Sequence, residues 1–350
     1  MFLISLLVSL YRGWDEKVGQ CVENSNVDVW AGSVGANDFI TANSMLPLDG
    51  TQAISGVAEI RQWSPIIVRP MTGVKIQLPQ HVATTKMNLL LVGYDTTTGI
   101  SGPIKIVEGK GAPGDGEVVI DNALANRYGV GVNDIISAGG RDWTVVGVSE
   151  GGDFVASQTV FISLAQAQSL LGMQNQATFI GIRLKDGADA KQFAAGVAGQ
   201  VPGAVAFTRA EFAAQTRDVV LGDILPILLI VLVLAFIVGL AVSGLTIYTA
   251  TIEKAREFGI IKAVGFSNRY LYRLVFEQAI VTGALGFVIG IGLTLLFGPL
   301  ASKQVPQFVT AILWQDVLAI LGATVVMSLA AGYVPVRRLA AIDPVAAFKA

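Results

Sequence analysis

Three stretches of this chain, Ile224–Ile247, Gln278–Leu300 and Val317–Val334, contain no Asp, Glu, Lys, Arg or His. Each is close to the roughly 20 apolar residues that a helix needs to cross the hydrocarbon of a bilayer. The pattern predicts membrane spans over 224–247, 278–300 and 317–335. Met1–Tyr11 is equally apolar but too short to cross; it reads as a signal-peptide core, although no cleavage site is evident, or as the outer half of a first span whose beginning is absent. Arg12, Gly13 and Trp14 then mark its exit, and residues 1–14 form a partial transmembrane helix. Four spans are expected, the first incomplete.

Between Asp15 and Asp223 the pattern becomes that of a globular domain, with frequent Gly, Pro and Thr and no run long enough to enter lipid. Roughly 200 residues can bury a core of their own. Alternating or β-branched segments predict strands at Val27–Ala31, Ala58–Trp63, Ile66–Arg69, Val74–Leu78, Asn88–Gly93, Glu117–Ile120, Trp143–Val148, Thr159–Ile162 and Phe179–Leu184. Ser163 to Gln166 reads as a capping box that opens a helix ending at Gly172, and Thr208 to Glu211 as a second. The second helix meets no stop signal before Ile224, which predicts a stalk running into the next span. Residues of about 72–150 are nearly all short strands and glycine turns, whereas both flanks mix strands with helices. An α-helical membrane domain, 224–350, joined to an α/β domain, 15–223, with a β-rich insertion is the expected fold.

The segment 248–276 is the exception to the apolar C-terminal third. It carries Lys254, Arg256, Lys262, Arg269 and Arg273, whereas the next loop, 301–315, offers only Lys303. By the positive-inside rule this segment is cytoplasmic and the globular domain lies on the other side. Ile252, Ile260, Ile261, Val264 and Leu271 recur at helical spacing. They predict short helical pieces, broken at Gly259 and Gly265, with an apolar face toward the bundle and a charged face toward the cytosol. Such a piece can dock a partner, or it can serve only as an interfacial anchor. Glu277, at the edge of the following span, reads as a carboxylate favoured at a helix N-terminus, with contact to the charged segment as the alternative. Gly286 with Gly290, and Gly239 with Ser243, give the small-residue spacing that lets helices approach.

Composition narrows the chemistry. Over 350 residues the chain is 53% hydrophobic and 14% charged with mean hydropathy +0.61, against about 25% charged in soluble domains. This is an integral membrane protein. Its net charge of −2 gives nucleic acid no footing. Cys21 and His81 are single, so a disulfide framework, a cysteine zinc site and histidine acid–base chemistry lack material. Charge-free spans argue against a proton or sodium relay. The phosphate cradle G-x-x-x-x-G-K-[ST] is missing, since the one Gly-Lys pair, Gly109-Lys110, is followed by Gly111. Gly111–Gly116 is read as a surface turn. No enzymatic activity is expected of this polypeptide.

The order Glu253, Lys254, Arg256, Glu257, Gly259, Ile260, Lys262, Ala263, Gly265 resembles the segment that FtsX-like permeases of ATP-binding cassette systems carry after their second span. That is the family of macrolide-exporter and lipoprotein-releasing permeases. Phe258 and Phe266 depart from the usual pattern. The ending PVRRLAAIDPVAAFKA is similar to the family's terminus, with Asp343 and Pro344 as a cap and first helical residue. More loosely, Gly116–Val148 resembles a strand, helix and strand of its extracytoplasmic core. The resemblance implies that those nine residues form a coupling helix seated on an ATPase. It also implies that ATP binds a separate ATPase subunit, with no cofactor in this chain. A second permease subunit, identical or not, is implied, since an ATPase pair presents two docking sites. A periplasmic adaptor or envelope protein and membrane lipid are the further partners, in the inner membrane of a bacterium. Motion would be passed by mechanotransmission to an export or extraction step. A regulatory protein that switches an extracytoplasmic partner without transport, and a passive anchor, stand as alternatives.

Overall fold

A computed structural model describes residues 1–40, 44–51, 54, 56–78, 85–152, 157–200, 203–305 and 308–340. The chain divides into a helical unit, built from Met1–Gly13, Ile224–Ser302 and the chain from Phe308, and a globular unit that contains Trp14–Asp223. His81, Asp343 and Pro344 lie outside the described residues.

In chain order the elements are α1 (Phe2–Val18), α2 (Gln20–Glu23), β1 (Val29–Ser33), β2 (Leu46–Pro47), β3 (Ile60–Gln77), β4 (Thr85–Tyr94), β5 (Lys105–Gly109), β6 (Glu117–Asp121), α3 (Asn122–Tyr128), β7 (Ile135–Ala138), β8 (Arg141–Glu150) and β9 (Gln158–Ser163). There follow α4 (Leu164–Leu171), β10 (Gln176–Ala177), β11 (Phe179–Leu184), α5 (Ala190–Gln200), β12 (Ala204–Thr208), α6 (Arg209–Glu253), α7 (Ala255–Ala263), α8 (Asn268–Gln304) and α9 (Trp314–Ala340).

The globular unit is built on one sheet of order β12-β1-β11-β3-β4-β9-β6-β8-β5. Three stretches read separately from the sequence, 58–63, 66–69 and 74–78, join into the single strand β3. Pro65 and Pro70 made them look separate, because proline cannot donate to a ladder. Each has a strand on one side only: Pro65 pairs with Ile180 of β11, before pairing with β4 begins at Ile66, and Pro70 pairs with Leu90 of β4, beyond the last β11 pair.

β7 pairs with both β3 and β8, and this closes a ring. β3, β4, β9, β6, β8 and β7 are hydrogen-bonded in succession, and Ile76↔Ala138 with Gln77↔Ser137 form the seam back to β3. The region expected to be nearly all strands and turns is thus a six-stranded barrel that also takes in β9. The helix that the resemblance implied between Gly116 and Val148 is α3, and the Asp121 carboxylate caps it by accepting from the Leu124 amide at 2.6 Å. The inward positions alternate along each strand, for example Leu89 and Leu91, Val160 and Ile162, as the two-residue period requires.

The other face of the sheet carries an aromatic cluster. Trp30, Phe39, Phe179 and Phe212 are all buried, with Phe212 ring centroids 5.2 Å from Phe179 and 5.6 Å from Trp30. Phe212 belongs to the first turn of α6. That turn is fixed by a complete capping box: the Glu211 amide donates to Thr208 Oγ1 at 3.3 Å and the Thr208 amide to Glu211 Oε2 at 3.0 Å. The Thr208 amide is the main reason the Glu211 carboxyl sits below its ordinary range. Arg217, two turns on, donates to the Asp15 carbonyl at 2.9 Å and to Glu23 at 3.0 Å. Ser163 caps α4 through the Gln166 amide, and that helix ends at Gly172 as its sequence predicts. α6 meets no stop. It runs for 45 residues, about 67 Å at 1.5 Å per residue, and Pro226 within it removes one rung of its hydrogen-bond ladder.

In the helical unit, α6, α8 and α9 are long and apolar enough to cross a membrane. α1 packs against α8 and α9. Ser5 Oγ lies 2.6 Å from Thr294 Oγ1, and a Cβ at Gly290 would stand 2.9 Å from the Phe2 amide nitrogen, so only glycine allows this approach. Arg12 holds Asp316 with two parallel bonds of 2.7 and 3.1 Å, and Asp316 also accepts from the Leu313 amide at the start of α9. One local reading changes. Glu277 is not at a helix N-terminus, because α8 begins at Asn268; Glu277 lies inside and makes the alternative contact, to the charged segment, through Arg273 one turn earlier at 2.7 Å. α9 continues through Pro335 and the arginines after it to Ala340.

Candidate functional site

The nine residues singled out from the sequence fall on one short helix and its two ends. Glu253 is the last residue of α6, and Lys254, at φ −95° and ψ 10°, breaks the direction of the chain. Arg256, Glu257, Gly259, Ile260, Lys262 and Ala263 lie on α7, and Gly265 follows it. The expected break at Gly259 is therefore not one. Gly259 is a buried residue inside the helix, and the break falls at Lys254, where α6 ends and the Phe258 amide takes up the Lys254 carbonyl at 3.0 Å.

The exit from α7 is a Schellman turn. The Phe266 amide donates to the Ile261 carbonyl at 3.3 Å and the Gly265 amide to the Lys262 carbonyl at 3.1 Å, the paired bonds that satisfy the last carbonyls of a helix. Gly265 has φ +101°, a conformation that only glycine adopts without strain. The turn delivers the chain to α8, where Phe266 and Tyr270 rings stand 4.9 Å apart.

α7 has two faces. Phe258 packs against a cluster made by Ile247, Val275, Ala279 and Ala331, and Gly259 is buried beside it. Arg256, Glu257, Ile260 and Val264 occupy the opposite arc and are exposed. The expectation of an apolar face inward and a charged face outward is thus only half right. Ile260 is 45% exposed, Val264 73% and Phe266 48%, so the outer face has an apolar centre with Glu253, Lys254, Arg256, Glu257 and Arg269 around it. Apolar centre and polar rim is how protein interfaces are built. The sequence reading missed the outward role of Val264 and Phe266. The signal was available: Val264 follows Arg256 by eight residues and Ile260 by four, which puts the three on one face.

A span-rich helical unit, a separate α/β unit and a rigid exposed helix between two spans define a membrane permease. A family model described as the FtsX-like permease C-terminal region matches residues 229–344, and one described as the MacB-like periplasmic core domain matches residues 1–200. The chain belongs to the FtsX-like permease family of ABC transporters. An uncharacterised ABC transporter permease of Mycobacterium bovis is 24% identical over 345 residues, 98% of this chain and 90% of its own. A probable syringafactin export ATP-binding/permease protein of Pseudomonas syringae is 28% identical over 66% of this chain and 36% of its own. Among solved structures, the periplasmic region of MacB from Actinobacillus actinomycetemcomitans is similar at TM-score 0.41 and 11% identity, covering 54% of this chain and 92% of that one.

Proposed function

We propose that this chain is the membrane subunit of an ATP-binding cassette exporter, and that α7 is its coupling helix. The outer face of α7, with Glu253, Lys254, Arg256, Glu257 and Ile260 and the adjoining Gly265 turn, seats on a separate ATPase subunit in the cytoplasm, and Lys262, half-buried one turn from Phe258, lies at its edge. Two such permease subunits, identical or not, stand on an ATPase pair in the inner membrane, each with four spans of which α1 is the first. ATP-driven closure of the ATPases displaces α7, and α6 carries that displacement by mechanotransmission to an extracytoplasmic step that exports or extracts a substrate. A periplasmic adaptor or envelope protein completes the path.

The observation that carries this reading is α6 itself. One helix holds Phe212, buried in the aromatic cluster of the globular unit, and ends at Glu253, one residue before α7. Apart from the one rung lost at Pro226, its helical turns follow one another from Arg209 to Glu253, so a push at the Glu253 end is felt along its length. The Phe258 cluster adds to this, because α7 is packed onto α8 and α9 and moves with them.

The test is co-purification of the full chain from its own cells, with the captured proteins examined for an ABC-type ATPase. Double reversal, Arg256→Glu with Glu257→Lys, is expected to abolish capture and stimulated ATP hydrolysis while membrane insertion stays normal. Undiminished capture by the folded double variant contradicts the reading. Capture with full stimulation but unchanged export in a deletion strain would assign the same motion to switching an extracytoplasmic partner instead.

A further inference from the structure

The barrel has an interior that the coupling reading does not use. Inside the ring of β3, β4, β9, β6, β8 and β7 lies a cavity of about 60 Å³. Leu91, Val118 and Val160 form its depth and are buried, while Met71, Val74 and Leu170 stand half-exposed at its rim. Its lining offers nothing to a polar guest. The one aromatic polar group there, the Trp143 indole N–H, is already given to the Ala138 carbonyl at 3.1 Å.

We infer that this barrel is a binding site for the end of a single alkyl chain. Water gains nothing in such a cavity, because it needs two or more hydrogen-bond partners, and apolar cavities of this kind stay dry. A charged or hydroxylated ligand would lose its hydration without replacement. Size excludes rings: a cavity that accepts benzene measures about 150 Å³, more than twice this one. At the same scale, about 25 Å³ per carbon of that benzene, the space takes the last two or three carbons of a chain. The apolar rim then lies along the next carbons of the chain, and the polar head stays outside. This site is independent of α7 and stands or falls without the coupling reading.

The experiment uses the full chain in phosphatidylcholine nanodiscs. Two photoreactive probes are compared, palmitic acid with a diazirine near its methyl end and phosphatidylcholine carrying the same tail. After irradiation, adducts are mapped by peptide mass spectrometry. Adducts within residues 85–94 or 117–128, competed by unlabelled palmitate, are expected, and the probe that gives them identifies a free fatty acid or a lipid tail as the source. Val160→Phe fills the cavity and is expected to remove these adducts while labelling of α6 between 224 and 247 persists as the internal control. Should that variant lose its near-UV circular dichroism, Ala138→Leu narrows the rim instead. Adducts on the membrane helices alone with both probes, or barrel adducts undiminished in a folded variant, overturn the inference.

Discussion

Phe212→Ala tests whether the foot of α6 is built into the globular core. The ring is fully buried and lies 5.2 to 6.4 Å, centroid to centroid, from Phe179, Trp30, Phe207 and Phe39. Truncating a buried phenylalanine costs about 3–5 kcal/mol, the removed surface plus the cavity left behind. Aromatic pairing of about 0.5–1.5 kcal/mol per contact is lost with it, which keeps this position at or above the middle of that range, at about 4 kcal/mol or more. In a unit of this size each kcal/mol moves the midpoint by about 2–4 °C, so the globular unit should melt about 8–16 °C earlier. Near-UV circular dichroism of the full chain in nanodiscs follows it, since Trp30 reports on the cluster directly. Phe207→Ala, at a half-buried ring on the rim of the same cluster, should cost less than half as much. A Phe212→Ala midpoint within about 2 °C of wild type, below the shift of a single kcal/mol, would refute the anchoring of α6.

Three further outcomes follow from particular contacts. The Glu211 carboxyl is held below its ordinary range by the Thr208 amide, so it stabilises the fold above the unfolded value of about 4.3 and loses this as pH falls through its folded value. Glu211→Gln should therefore flatten the fall in stability below pH of about 4 in denaturant titrations. Tyr94 is pushed up to about 12 by burial, so it contributes full stability below about pH 10 and loses it as pH rises through its folded value; ultraviolet titration of Tyr94→Phe against wild type should lack one late-ionising phenol. Arg12→Ala leaves Asp316, at 9% side-chain exposure, without its two guanidinium hydrogen bonds, and the helical unit should lose about 2 kcal/mol in thermal denaturation, with Asp316→Asn on that background restoring most of it.

Three of the four expected spans and both capping boxes were legible because their signals are local. A run without charge, or an acceptor three residues from an amide, is read from a single window of sequence. The long strand β3 was not, since its two prolines are tolerated only because its partners change between them. Barrel closure was equally hidden: the seam joins Ile76 to Ala138, a pairing of distant residues that no periodicity announces. α3 was expected only through the resemblance of Gly116–Val148, although Asp121 and Gly129 give a cap at each end of its seven residues. In the segment 248–276 the order of residues marked out the stretch that forms α7, but the direction of Ile260 and Val264 depended on where α6 ended. A stop at Lys254 rather than Gly259 turned both outward.

The central claim is that the outer face of α7 meets an ATPase, and Val264 is its most exposed apolar residue. A photo-crosslinking amino acid placed at Val264 in living cells tests it directly. The account predicts an adduct containing an ABC-type ATPase that disappears when Arg256 and Glu257 are reversed in charge. No ATPase adduct from Val264, together with labelling of a cysteine there by a membrane-impermeant reagent added outside the cell, would contradict it.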